Sequence, residues 1–88
     1  MAEYEFFIGR KATLAYVGVI IAQIVPSNQE FVIKARGKAI SKAIDVALIS
    51  CRKLKTIKIK NIKVDSEEIR NTKKEIISLS TIEILLGE

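Results

Sequence analysis

Residues Phe31 to Asp45 read FVIKARGKAISKAID. Three bulky apolar residues in succession, Phe31, Val32 and Ile33, open a strand over Glu30–Ala35. A continuous apolar run of this kind suits a strand covered on both faces, as in a parallel βαβ unit. Gly37 ends the strand, and from Lys38 to Lys55 the apolar residues recur at helical spacing. Ile40, Ala43, Ile44, Ala47, Leu48, Cys51 and Leu54 make the expected core stripe, and Lys38, Lys42, Asp45, Ile49 and Arg52 the opposite side.

The same grammar extends in both directions. Upstream, Tyr4–Ile8 is a short strand with Tyr4, Phe6 and Ile8 on one face, broken by Gly9. Lys11–Val25 is a helix apolar almost all the way round, so it should be covered on most sides, in part by another subunit. Pro26-Ser27-Asn28 reads as a turn. Downstream, Thr56–Val64 alternates until the phase slips at Lys60-Asn61, which predicts a β-bulge. Ile76–Leu86 is the last strand. The highly charged Asp65–Glu75 between them reads as a protruding hairpin end. The expected architecture is a single α/β domain over residues 1–88, a two-layer sandwich in the order β1-α1-β2-α2-β3-β4, with a mixed four-stranded sheet.

The charge is unevenly spread. The 88-residue chain carries a net charge of +5. Between Arg10 and Lys63 there are twelve cations against two anions, and elsewhere three cations against eight. This asymmetry suggests a polyanionic partner, a lysine-rich solvated surface being the other reading. One cysteine excludes an internal disulfide, and the lack of histidine excludes a Cys/His metal site. No nucleophile–base set or Walker-type loop is present, and the carboxylates Asp65, Glu67 and Glu68 lie on a charged loop with no apolar wall to raise their pKa values. The expectation is therefore no catalysis, no cofactor, no metal and no small-molecule substrate. The apolar stretch Ala12–Val25 is too short to span a membrane, and a cytoplasmic location follows. The abundance of Ile, Lys and Glu leans toward a thermophile.

Two constellations carry chemistry. Ile8-Gly9-Arg10-Lys11 and Ala35-Arg36-Gly37-Lys38 both sit where a strand hands over to a helix, where a helix N-terminus offers amides and partial positive charge to a phosphate. Gly37 lets a ligand approach the backbone closely. If the two strands are parallel neighbours, Arg10, Lys11, Arg36 and Lys38 converge on one edge, and Lys42 is counted with them. Arg70, Lys73 and Lys74 form a third basic group on the hairpin, suited to a groove of duplex DNA or to a solvated loop.

Ile8-Gly9-Arg10-Lys11, the stretch Phe31 to Asp45, and Ser80-Thr81-Ile82-Glu83-Ile84 resemble the Alba family of archaeal chromatin proteins. The resemblance covers nearly the whole chain. It implies a fold like the C-terminal domain of a bacterial translation initiation factor, and a homodimer or a heterodimer with a paralogue. It implies binding of double-stranded DNA and of RNA with little sequence preference, in the nucleoid, for chromosome architecture. It carries phosphate-contacting roles to Arg10, Lys11, Arg36 and Lys38, and a nearby role to Tyr16. Relatives that serve in ribonucleoproteins of the ribonuclease P type imply an alternative role as an RNA-binding subunit. Two departures stand out. Arg10 occupies the position of an acetylatable lysine, leaving Lys11 as the candidate for acetylation. Leu54 or Lys55 falls where an aromatic residue joins dimers into arrays.

Overall fold

The structure is a computed structural model that describes residues 4–27 and 29–88. The elements are β1 (Tyr4–Phe7), α1 (Thr13–Ser27), β2 (Phe31–Arg36), α2 (Ile40–Lys53), β3 (Lys58–Arg70) and β4 (Ile76–Gly87). One turn of 3-10 helix, Gly37–Ala39, joins β2 to α2. The strands lie in the order β1-β2-β4-β3. β1 pairs parallel with β2, and β4 runs antiparallel to both β2 and β3. The element order and the mixed four-stranded sheet are those expected. With β4 reversed between them, β1, β2 and β3 all point the same way.

The helices form one layer. Phe31, Ile33 and Ala35 of β2 and Ile82, Ile84 and Leu86 of β4 face them and are buried with Val17, Ile20 and Ile24 of α1 and Ala43, Val46 and Ala47 of α2. Phe6 meets Phe31 edge-on, with ring centroids 5.8 Å apart, a favoured aromatic geometry. The expectation that β2 is covered on both faces is not met, since burial alternates along it and Val32 and Lys34 are only half-buried. On the open face Lys34 bridges Glu5 at 2.9 Å and Glu83 at 3.7 Å. That charged ladder keeps the open face solvated.

Both helices differ from the sequence reading in register. α1 begins at Thr13 and keeps Pro26 in its last turn. A proline there forfeits its own N–H bond and crowds the carbonyl one turn before it, and the helix ends one residue later. Of the expected turn, Asn28 lies outside the described residues. Leu14, Val19 and Val25 of α1 are exposed, so within one chain this apolar helix is covered on one side only. On α2 the buried residues are Ala43, Val46, Ala47 and Ser50, while Ile44 and Leu48 are exposed and Ile49 packs on the core. The buried direction of α2 is set jointly by the sheet below and α1 beside it. The residues α2 buries are small or β-branched, and the larger aliphatics Ile44 and Leu48 fall outside that stripe.

The charged segment Asp65–Arg70 is strand rather than loop, paired with β4 as far as Arg70↔Ile76. Only Asn71–Glu75 turns. The Lys74 amide donates to the Asn71 carbonyl at 3.0 Å, and the Asn71 side-chain oxygen accepts from the Lys73 and Glu75 amides. Lys74 sits at φ 63°, the left-handed residue that closes a hairpin of this length. The bulge expected near Lys60 is present as a register shift between Ile59 and Asn61. β2 reaches only Arg36↔Thr81, so the pairs from Ser66↔Ser80 to Arg70↔Ile76 project as a two-stranded ribbon of about 17 Å.

Ser50 is fully buried, and its hydroxyl finds no hydrogen-bond partner among the described residues. A buried hydroxyl without a partner costs about 1 kcal/mol or more. Ser50→Ala is therefore expected to raise the melting temperature by roughly 4 °C or more for a domain of this size, read by calorimetry.

Candidate nucleic-acid interface

β1 and β2 end side by side, so the two strand-to-helix junctions meet at one end of the sheet. The pairing extends to Ile8, whose amide donates to the Lys34 carbonyl at 2.9 Å. Beyond it Gly9, Arg10, Lys11 and Ala12 loop into α1, and Arg10 and Lys11 are exposed. At the second junction Gly37 adopts φ 58°, a left-handed conformation that glycine takes at little cost and that turns the chain straight from Arg36 into the 3-10 turn. Arg36 and Lys38 are exposed.

Lys42 joins the two junctions physically. Its ammonium, from the first turn of α2, donates to the carbonyls of Gly9 at 3.0 Å and Lys11 at 2.8 Å. The Tyr16 hydroxyl, from the first turn of α1, accepts from the amides of the same two residues, at 2.8 Å from Gly9 and 3.2 Å from Lys11. The loop carrying Arg10 is thus held by its carbonyls from one helix and by its amides from the other. Lys42 therefore fixes the shape of the site, with its charge directed at protein carbonyls. The amides of Gly9 and Lys11 are likewise not free donors. The helix itself starts two residues later than Lys11, at Thr13.

Tyr16 keeps one group in reserve. Its oxygen accepts from two amides, which leaves its own proton to be donated outward. Burial pushes the phenol up, but hydrogen bonds from the Lys11 and Gly9 amides and the charges of Lys42 and Lys11 outweigh it and hold Tyr16 below the usual phenol range. A more acidic hydroxyl is the stronger hydrogen-bond donor to an anion.

The ribbon leaves the body from the same end, because β3 runs parallel to β1 and β2. Arg36 Nη1 lies 3.4 Å from Glu67 Oε2 on the ribbon. Both side chains are more than half exposed, so the pair is worth little and leaves the guanidinium available. Arg70, Lys73 and Lys74 stand at the far tip, exposed. The structure thus brings Arg10, Lys11, Tyr16, Arg36, Gly37, Lys38 and Lys42 together and sets the ribbon cations apart, pointing along the same direction.

Two features escaped the sequence reading. One is the clamp made by Lys42, for which helical spacing gave no signal. The other is Phe7, exposed on the open face beside Lys34, whose ammonium lies 5.7 Å from the ring centroid. Placing Tyr4, Phe6 and Ile8 on the inner face already implied that Phe7 points outward.

A two-layer α/β domain with two basic junctions at one end and a ribbon projecting past them is the class that fold and site define. Comparison narrows it. The Alba family model matches residues 5–66. The chain is 38% identical over 89 residues to DNA/RNA-binding protein Alba 1 of Archaeoglobus fulgidus, covering 100% of this chain and 99% of that one. It is 44% identical over 86 residues to DNA/RNA-binding protein Alba of Picrophilus torridus, with 96% and 94% covered. The solved structure of Alba from Thermoplasma volcanium superposes with a TM-score of 0.88 at 36% identity, covering 96% of this chain and 99% of that one. The chain belongs to the Alba family.

Lys42→Met removes the clamp while keeping most of its stem. In a Tyr4→Phe background, tyrosinate absorbance should then titrate at higher pH, because one of the charges that lower the Tyr16 pKa is gone. Amides 9–13 should exchange faster with solvent. An unchanged phenol titration would mean that Lys42 stands clear of the loop.

Proposed function

We propose that this protein binds double-stranded DNA and RNA through the sugar-phosphate backbone, without reading base sequence and without catalysis, in the service of chromosome architecture. One observation carries the reading: Arg10 and Lys11, on a loop held by Lys42 and Tyr16, and Arg36 and Lys38, at the neighbouring junction, are exposed and gathered at one end of the sheet. Four cations on a fixed frame match the repeating charge of a nucleic-acid backbone. The names of the Archaeoglobus and Picrophilus relatives point the same way. The chain contains no histidine, and the described residues hold no group of three or more His, Cys, Asp or Glu fit for a metal. The ribbon is narrow enough to follow a groove, where Arg70, Lys73 and Lys74 meet backbone on either side. Acetylation of Lys11 would remove one of the four cations and weaken the grip.

We infer further that the working unit is a dimer, of two copies or of this chain with a paralogue. α2 packs over β2 and β4 and leaves the helix-side face of β3 bare from Ile62 onward, with Ile62 52% and Val64 72% exposed. Ile40 borders the same hollow as Val64, and Ile44 and Leu48 continue the apolar surface along α2. A second copy presenting the same flank covers both in a self-complementary contact. Two bodies and two ribbons then lie along one duplex. Nucleoid location follows from this role.

Two measurements test the proposal. Log affinity for random-sequence duplex DNA should fall linearly with log salt, with a slope of roughly −0.9 per phosphate contacted. Arg36→Ala and Lys38→Ala should each flatten that slope by about one unit, equally for all sequences. Affinity independent of salt would refute backbone binding. For the dimer, Val64→Asp should sediment as a folded monomer at micromolar concentration where the parent chain sediments as a dimer. Parent and variant sedimenting alike would contradict it.

A further inference from the structure

Phe7 is 70% exposed at the end of β1, on the open face of the sheet. The core does not need it, since Ile8 is buried there and Phe6 packs against it. An aromatic ring left in water at this place is a costly use of apolar surface. Its neighbours are specific. Phe7 pairs with Lys34, and Lys34 with Glu83, across the open face. On one side the ring borders a hollow shared with Arg36, Thr81 and Glu83. On the other it borders a hollow shared with Lys11 and Tyr16. Phe7 thus lies between the two basic junctions, two residues before the loop that begins at Gly9.

The charge around the ring selects what fits on it. Lys34 is matched by Glu5 and Glu83, and the hydrogen bond it donates to Glu5, with the charges of Glu5 and Glu83, holds its ammonium above the ordinary lysine range against partial desolvation. The face beside Phe7 therefore carries two carboxylates to one ammonium, and it repels a phosphate. A neutral, flat, polarizable group meets no such penalty. Lys11, and Arg36 with only its solvent-exposed pair to Glu67, flank the ring at the rim. A nucleotide offers this pattern: a neutral base to stack, joined to phosphates a few ångströms away.

We propose that Phe7 is a stacking platform for one unpaired base of a single-stranded nucleic acid whose backbone follows the rim between Lys11 and Arg36. Resting on the backbone-binding reading of that rim, it adds a contact that a duplex cannot make, because paired bases stay inside their own stack. Base–aromatic stacking tolerates every base, so the site adds affinity for unpaired strands without adding sequence preference. The Thr81 hydroxyl and the Arg36 guanidinium line the same hollow and can meet the base edge. Loops and bulges of folded RNA supply such bases.

The chain contains no tryptophan, so Phe7→Trp places a single tryptophan at the site, which is excited at wavelengths where the tyrosines do not absorb. It is titrated at one salt concentration with oligouridylate and with a random-sequence DNA duplex. The expected result is strong quenching by the single strand and little change with the duplex, although both bind. Phe7→Ala and Phe7→Leu, shown to be folded by their melting curves, should lose roughly 5- to 150-fold in affinity for the single strand and keep their affinity for the duplex. Leucine keeps the apolar bulk, so its failure to rescue isolates the ring face. Equal quenching by both ligands, or bound single strand without quenching, overturns the platform and leaves the rim intact. A blue shift that grows with protein concentration alone also overturns it, because another copy of the chain then covers the ring. Failure of the parent protein to bind either ligand sinks the rim reading, and the platform with it.

Discussion

β4 lies between β2 and β3 and runs against both, and the working surface depends on that placement. Because β4 is the reversed strand, β1, β2 and β3 share one direction. The C-terminal ends of β1 and β2 therefore lie at the same end as the outgoing half of β3. Two helix starts, four exposed cations and the ribbon are consequences of strand direction alone. β4 is also what lets the ribbon be long. Its second half binds β2 and anchors the core through Ile82, Ile84 and Leu86, while its first half pairs only with β3 and stands in solvent.

Topology brings the junctions to one place but does not fix their shape. That is done by polar groups drawn from both helices. Lys42 takes two carbonyls of the β1–α1 loop, and Tyr16 takes two of its amides. A short loop bearing two adjacent cations would otherwise fluctuate, and ordering it on binding would cost free energy. Surface ion pairs contribute little by comparison. Arg36–Glu67 is open to water and steers the ribbon weakly. The ladder of Lys34 with Glu5 and Glu83 leaves the open face one carboxylate in excess and so unlike the rim.

Much of this was legible in the residues. The stretch from Phe31 to Asp45 declares a strand, a glycine break and a helix, and the break point is where Gly37 takes its left-handed conformation. The bulge near Lys60 showed as a slip in alternation. The limits of the reading have physical causes. Residue type ranks side chains by hydrophobicity, yet α2 buries Ala43, Val46, Ala47 and Ser50, so Ile44 and Leu48 looked like core and are surface. β3 beyond Asp65 has solvent on both faces and thus no alternation to betray a strand. Its backbone ladder with β4 holds it instead. Lys42 carries a charge like any surface lysine, and only the fold places it within reach of the carbonyls of Gly9 and Lys11. Pro26 signalled a stop, and the helix runs only one residue beyond it.

The central claim is that the rim formed by the two junctions meets nucleic acid first, with the open face of the sheet aside from duplex contact. Backbone amide shifts followed in a nitrogen–proton correlation spectrum, while a short random-sequence DNA duplex is added, test it directly. The account predicts that the largest changes fall at residues 9–13 and 36–42, with smaller ones along the ribbon from 66 to 80 and almost none at Val32, Lys34, Glu83 and Leu85. Shifts concentrated on that open face, with the two junctions unmoved, would contradict it.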